Sequence, residues 1–395
     1  MGIIFTIIIL GIIILLHELG HFAMAKYFRM PVSEFAIGMG PKIFSVRKGE
    51  TAYSIRVLPL GGFVNIEGMQ PGQFDLEEFK KEKTDEIIKE LKNEFEINDE
   101  IEDENFVNEV SRRLDKAMEK ELRKQENIQK NGFFTKSPFS RFVVLIAGVT
   151  MNFISALIAI FLMFSITGVM PIKYTKPVVG EIQEDSRAKE KLRVNDRILA
   201  INGENVSSWI EMSEKVSKIS QNYKGEDVSL KILRNNKEIM ENVKLTYNKE
   251  VKTNLLGIQV LPQKINFGEK IKMSFVMFGD YFKLTLDGVI MLITGKVAIK
   301  EMTGPVGLPK IIGQAYGQGG FLALLGVFIL ISINIGIMNL LPIPALDGGR
   351  LIFVIPEFFG IKVNKEIEER IHMIGMIFLL VLMLFIVFFD VTKYF

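Results

Sequence analysis

A chain of 395 residues with 48% hydrophobic and 24% charged side chains must sort its apolar residues into blocks, as a membrane protein with a soluble module does. It has no cysteine, which excludes disulfides, iron–sulfur clusters and thiolate metal sites, and its net charge of +2 carries no nucleic-acid signature. With only three histidines, a zinc site would have to combine histidine with carboxylate.

The first apolar block covers residues 3–25. No Lys or Arg precedes it, and about 23 residues are enough to cross a bilayer, so it reads as a retained transmembrane helix rather than a signal peptide. Inside it lies HELGH, residues 17–21. A charged residue at the centre of a membrane helix costs at least about 2.5 kcal/mol, so these groups need a reason to be there. On a helix, positions i and i+4 share a face, and His17 and His21 can bind one cation together. Glu18 sits beside them and can take a proton from an attacking water. Catalytic zinc wants three protein ligands; with His372 the one histidine left over, a carboxylate is expected as the third.

Residues 73–131 are densely charged, free of Gly and Pro, and spaced as one or two exposed amphipathic helices, with Ile87, Leu91 and Phe95 on one face. A second apolar block covers 142–166. Short alternating runs in 177–262 (PVVGEI, DRILAING, VSLKIL, NVKLTY) predict a small β-rich domain, and SWIEMSEKVSKI a helix within it. The stretch 271–300 mixes Asp280, Lys283, Asp287 and Lys296 with apolar residues, which suits a helix lying in the interface rather than a span. A third block, 321–341, runs into NLLPIPALDGGR. There Pro342 and Pro344 end the helix, Gly348 and Gly349 permit a tight backbone path, and Asp347 is the candidate third ligand. The last block, 371–389, begins near His372, which has no motif around it and reads as structural.

Lys and Arg are missing before the first block, whereas Lys26, Arg29, Lys42, Arg47, Lys48 and Arg56 follow it, and Arg350, Lys362, Lys365 and Arg370 follow the third. Both of those loops are therefore expected on the cytoplasmic side, and the N-terminus and the 167–320 segment outside. With 271–300 interfacial, the first and third blocks run the same way, and His17, His21 and Asp347 all fall towards the cytoplasmic side.

HELGH in the first helix and NLLPIPALDGG after the third resemble the intramembrane site-2 proteases (RIP zinc metalloproteases), in particular the RseP-like branch with one PDZ domain. YSIRVLPLGGFVNIEG resembles that branch's membrane-associated β-loop. KSPFSRFVVLIAGVTMNF resembles its second helix, with Gly148 and Asn152 in a GxxxN pattern, and DSRAKEKLRVNDRILAINGENV resembles a PDZ domain. In that domain SRAKEKLRVND lacks the Pro and two Gly common in the family. NLLGIQV, with Gly257, would be its carboxylate-binding segment.

The resemblance implies a polytopic α-helical membrane protein with about four transmembrane helices, a cytoplasmic-side β-loop and an extracytoplasmic α+β PDZ domain. Its parts would be 1–72, first helix and β-loop; 73–136, charged insertion; 137–170, second helix; 171–265, PDZ; 266–318, interfacial segment; and 319–395, third and fourth helices. It implies Zn2+ on His17, His21 and Asp347, with Glu18 as general base. Asn339, Pro342 and Pro344 would contact substrate, and Leu60, Gly61 and Gly62 would pair with it as an added strand. The expected partners are single-pass membrane proteins, such as anti-sigma factors or signal-peptide remnants, and lipid. The PDZ would either limit or recruit them, and the location would be the inner (cytoplasmic) membrane. A PDZ adaptor without chemistry would need a broken HExxH, and a metal or ion transporter would show internal repeats; neither feature is present.

Overall fold

The computed structural model describes residues 1–69, 76–94, 104–249, 251–297, 304–361 and 363–394, with backbone alone at 58–60, 104–105 and 393–394. The chain folds as two compact units, residues 1–160 with 277–395, and residues 161–276.

In the first unit, α1 (Gly2–Tyr27) is an almost unbroken Ile/Leu helix. It ends where Arg29 turns left-handed (φ 56°) and Met30 N–H reaches back to Ala25 O at 2.8 Å, with Pro31 preventing continuation. The strands β1 (Val32–Lys48) and β2 (Thr51–Ile66) follow as a long, bulged hairpin. Its register doubles back on itself: Ala36 lies opposite both Phe63 and Ser54, and Ile37 opposite both Gly62 and Ile55. Residues 62–66 are thereby paired along one side by residues 32–37. The tip carries exposed Ile43, Phe44, Val46, Ile55 and Val57 flanked by Lys42, Arg47 and Lys48, which suits a surface lying in lipid headgroups.

The charged stretch forms two helices, α2 (Leu76–Glu94) and α3 (Glu104–Asn131), joined by an Arg113–Glu94 ion pair at 2.9 Å and burying Ile87 and Leu91. Phe95, placed on their apolar face from sequence, lies outside the described residues. The two ends of this excursion meet: a Cβ on Gly68 would lie 3.1 Å from Gly132 Cα. The next helix is α4 (Pro138–Thr167).

The second unit is an α+β domain. Its strands are β3 (Val179–Ile182), β4 (Arg197–Ile201), β5 (Glu204–Asn205), β6 (Val228–Arg234), β7 (Lys237–Val243), β8 (Thr246–Asn248), β9 (Thr253–Leu255) and β10 (Ile258–Val260). They pair as β5-β4-β6-β7, β10-β3 and β8-β9, with α5 (Trp209–Gln221) packed against them. Alternation along VSLKILR buries Val228, Leu230 and Ile232 in a core with Ile198, Ile201, Leu192, Met212 and Val216. Ser208 caps α5 by accepting Glu211 N–H. Gly257 (φ 66°) is covered by Ser186, whose hydroxyl donates to Leu256 O at 2.7 Å.

The remaining helices are α6 (Phe267–Ile293), α7 (Leu308–Leu340), α8 (Asp347–Glu357) and α9 (Lys365–Tyr394). Among the described residues four helices are long and apolar enough to cross a membrane: α1, α4, α7 and α9. The charged α6 is not one of them; the end of the 271–300 stretch, from 298, lies outside the described residues. Helix α7 starts well before the apolar block that announces it and is broken at Gly320 (φ 58°, ψ −141°). Its first arm packs Ile312 against Ile9 and Ile13 of α1. A core of Ala25, Met30, Val32, Ile66, Phe133, Val144, Leu145, Leu351 and Val354 ties α1, the hairpin, α4 and α8 together. Arg141 pairs with Glu357 across α4 and α8, and Arg350 donates to Met69 O at 3.1 Å.

Candidate metal centre

His17 and His21 lie one turn apart on α1, each 7% exposed. Asp347, the first residue of α8, meets them. Its approach depends on the two glycines after it: a Cβ on Gly348 would lie 2.3 Å from Leu341 O, and one on Gly349 2.2 Å from Ile343 O. The first turn of α8 therefore rests on the backbone of the loop that precedes it.

His17 Nε2, His21 Nε2 and Asp347 Oδ2 form a triangle with every side 3.2 Å. That is close to the edge of a tetrahedron whose centre lies about 2.0 Å from each corner, the length of zinc–nitrogen and zinc–carboxylate bonds. The donor chemistry fits as well. His21 Nδ1 lies 2.8 Å from Val144 O and must donate its proton there, which leaves a lone pair on Nε2. Asp347 Oδ2 is buried without a hydrogen-bond partner. Lone pairs aimed at one another from this distance repel unless a cation lies among them.

Helix α4 supplies the support. Val144, Gly148, Asn152 and Ser155 line one face at spacings of four, four and three. Gly148 faces the histidines so closely that a Cβ would lie 2.3 Å from His21 Nε2 and 2.8 Å from His17 Nε2. Gly20 does the same in the other direction, since its Cβ would meet Ala147 O at 2.4 Å. The Asn152 side-chain amide, fully buried, contacts His17 Nδ1 at 3.2 Å. For His17 Nε2 to offer a lone pair, Nδ1 must carry the proton and the amide must present its oxygen. Turning the amide about its axis does this and also gives Oδ1, otherwise buried and unpartnered, a donor. Asn152 O in turn accepts from Ser155 and Ser332, which fixes α4 against α7.

Glu18 follows His17 on α1, half-buried and in the field of His17, His21 and Asp347. Strand β2 runs past it: a Cβ on Gly62 would lie 3.7 Å from Glu18 Cγ and 2.7 Å from Ala36 O. Gly61 has φ 91° and rests on Met39. Leu60 lies in β2 by its backbone. The hairpin is locked by Glu34, which takes hydrogen bonds from Ser54 and Arg56 and an ion pair from Lys42 at 3.2 Å. Burial acts to raise the Glu34 carboxyl, but those three partners outweigh it and hold it below the usual carboxylate range.

The structure thus brings His17, His21 and Asp347 to one point, with Glu18 and Gly62 beside it. Asn339 lies in the last turn of α7 and is not part of the three-atom cluster. Pro342 lies in the loop between α7 and α8, and Pro344 packs on α9, where a Cβ on Gly375 would lie 2.3 Å from its own Cβ. His372 is apart from the cluster, on α9, and accepts a hydrogen bond from Ala345 N–H. Sequence alone assigns no role to Gly148 or Asn152. Their i, i+4 spacing, matching that of HELGH, is the signal that two helices meet face to face there.

Converging lone pairs inside apolar helices, with a carboxylate alongside, fit a membrane-embedded metallohydrolase of the HExxH class. Residues 5–382 match the model of peptidase family M50, and the chain belongs to that family. A relative from Fusobacterium nucleatum is 38% identical over 99% of this chain and 98% of its own length. The regulator of sigma-W protease RasP of Bacillus subtilis is 33% identical over 98% of each chain, and the zinc metalloprotease RasP of Geobacillus kaustophilus is 31% identical over 100% of this chain and 98% of its own. A crystal structure of the PDZ domain of an SdrC-like protein from Listeria innocua aligns at 25% identity over 23% of this chain and 97% of that one, with a TM-score of 0.20.

Proposed function

We propose that this chain, a zinc metalloendopeptidase of the site-2 type, holds its zinc on His17, His21 and Asp347 and cuts single-span membrane proteins with Glu18 as general base. The observation that carries this reading is the 3.2 Å triangle of three buried lone pairs. Zinc, when bound there, supplies Lewis-acid polarisation of a carbonyl and a more acidic water. Glu18 accepts the proton of the attacking water and returns it to the leaving nitrogen. Val144 O and the Asn152 amide keep the two imidazoles in the tautomer and orientation that ligation requires.

A helical substrate hides its scissile carbonyl in its own hydrogen bonds, so it must unwind. An edge strand beside the site can satisfy the freed groups. Residues Leu60, Gly61 and Gly62 are suited to that role because β2 passes Glu18 with no side chain at Gly61 or Gly62. Asn339, Pro342 and Pro344 complete the substrate path in this reading. The basic residues after α1 and α7 support a reading in which the centre lies towards the cytoplasmic side of the inner membrane and the PDZ-type domain lies outside, where it limits or recruits substrates. In this reading the charged insertion covers 73–136, the PDZ-type domain 171–265 and the interfacial segment 266–318. The name of the Bacillus subtilis relative favours anti-sigma factors as the substrate class, with signal-peptide remnants as the second.

The test pairs metal content with cleavage of a single-span model substrate. Glu18→Gln should bind zinc as the wild type does and lose about 10²–10⁴-fold in turnover. Wild-type-like turnover would remove Glu18 from the chemistry. Wild-type turnover by Asp347→Asn with full zinc content would remove Asp347 from the ligand set.

A further inference from the structure

The loop that delivers Asp347 is held by a group outside itself. Ala345, two residues earlier, has φ 78°. Among the described residues, the other non-glycine residues with positive φ are Arg29, Lys252 and four asparagines, and asparagine tolerates this region. Alanine has no polar side chain with which to stabilise itself there. Within the loop, Ile343 N–H bonds Leu341 O at 2.7 Å and Leu346 N–H bonds Ile343 O at 3.2 Å. The Ala345 N–H instead leaves the loop and meets His372 Nδ1 at 2.9 Å, 27 residues on along the chain. One turn further, Gly375 admits Pro344 against the backbone of α9. His372 and Gly375 share a face of that helix, so α9 grips two consecutive loop residues.

We propose that His372 is a positioning residue for the metal centre: by accepting the Ala345 N–H it holds the left-handed turn that aims Asp347 at His17 and His21. The proposal rests on the reading of Asp347 as a ligand. It explains why a chain with three histidines keeps one buried, 8% exposed, away from the other two. It also fixes the tautomer. With Nδ1 accepting, the ring proton sits on the buried Nε2, and His372 lines a cavity of about 370 Å³ together with Arg350, Glu368, Met373 and Met376. Glu368, one turn earlier on the same face of α9, carries a buried Oε1 that, like Nε2, has no direct hydrogen-bond partner, so a water in the cavity can join the two.

The experiment uses the full chain purified in detergent, zinc affinity measured by competition with a chromogenic chelator, and amide exchange of metal-free protein. His372→Ala should weaken zinc about 10-fold, as loss of an outer support does, and Ala345 N–H should exchange about 10-fold faster. His372→Asn keeps an acceptor at the position of Nδ1 and should stay within about 2-fold of the wild type. The pair Ala345→Gly with His372→Ala should recover most of the lost affinity, because glycine adopts φ 78° unaided. Rescue by a glycine on the loop is not expected if His372 only fills space on α9. Wild-type affinity in His372→Ala, or no rescue by Ala345→Gly, overturns the proposal. Asp347→Asn separates the two readings. If it keeps full affinity, the ligand assignment fails and this proposal with it; if it loses zinc while His372→Ala does not, the positioning role alone fails.

Discussion

The metal centre and the α2–α3 excursion both depend on carboxylates and treat them in opposite ways. Along α2 and α3, Glu109 takes Arg112 and Arg113, Glu119 takes Arg123, Glu126 takes Lys130 and Glu86 takes Lys83, each three or four residues away and mostly in water. Each pair is locally satisfied, and the helices bury little besides Ile87 and Leu91. At the centre, Asp347 Oδ2 and two imidazole nitrogens are buried, are drawn from parts of the chain more than three hundred residues apart in number, and face one another. A polar group with a local partner in water serves solubility and helix formation. A desolvated polar group without a partner is costly and persists only where something else completes it.

If that contrast is right, small steric changes at the centre should outweigh large ones in the excursion. Gly148→Ala is the sharpest case. Its added methyl would lie 2.3 Å from His21 Nε2 and 2.8 Å from His17 Nε2, so one imidazole must leave its place. We expect zinc affinity to fall about 100-fold, at the upper end for residues that support ligands. Gly279→Ala, where a Cβ meets nothing within 4 Å, is the control and should leave affinity alone. Equal affinity for the two variants would break the comparison. Next in size is Asn152→Leu, which keeps the number and branching of the side-chain heavy atoms and removes the hydrogen-bond partner of His17 Nδ1. Zinc affinity should fall about 10-fold, read by the same chelator competition. Wild-type affinity would mean that the orientation of His17 is set by α1 alone.

These two residues also show how far the sequence can be read. HELGH is legible because two histidines and a carboxylate fall within five residues of one helix, where spacing alone fixes their common face. PIPALDGG is legible through its prolines and glycines, whose backbone consequences are local. Gly148 and Asn152 can be seen as a spaced pair but not given a role, because that role exists only once α4 crosses α1. Val144 contributes through its carbonyl, and a backbone acceptor leaves no mark in a sequence. The link between His372 and Ala345 depends on a φ angle and on the seating of α9, neither of which has a residue signature. Hydropathy marks the apolar arm of α7 from 321, and the helix does break just before it, at Gly320; the arm from Leu308 is not legible because Gly313, Gly317, Gly319 and Gly320 interrupt its apolar run. The charged helices are legible because α2 and α3 are stabilised by neighbours along their own surfaces.

Removing the excursion altogether should do less than one methyl group at Gly148. Its ends already meet at Gly68 and Gly132, and Phe133 N–H bonds Glu67 O across the junction at 3.0 Å. Joining Met69 directly to Gly132 leaves that bond and the Arg350–Met69 contact available. Because the segment holds none of the three converging atoms, zinc affinity should stay within about 2-fold of the full chain. A large loss in well-folded deletion protein would make the excursion part of the scaffold of the centre.

The smallest effect is expected from Arg112→Ala with Arg113→Ala. Hydrogen bonds from both arginines hold the Glu109 carboxyl down at about 2, and burial opposes them only weakly. Since the folded value lies below the ordinary 4.5, the stabilisation of α3 by Glu109 is complete above about pH 4.5 and is lost as pH falls towards 2. In the double variant Glu109 should titrate near its ordinary value, and high salt should move the wild type in the same direction, because the pairs are exposed. Side-chain carboxyl NMR of labelled protein in detergent reads both. Zinc affinity should not change in either case: among the described residues no hydrogen bond or ion pair joins the excursion to the three converging atoms. A loss of zinc on removing these two arginines would show that the solvated pairs and the buried lone pairs are coupled, and the contrast between the two regions would fail at its base.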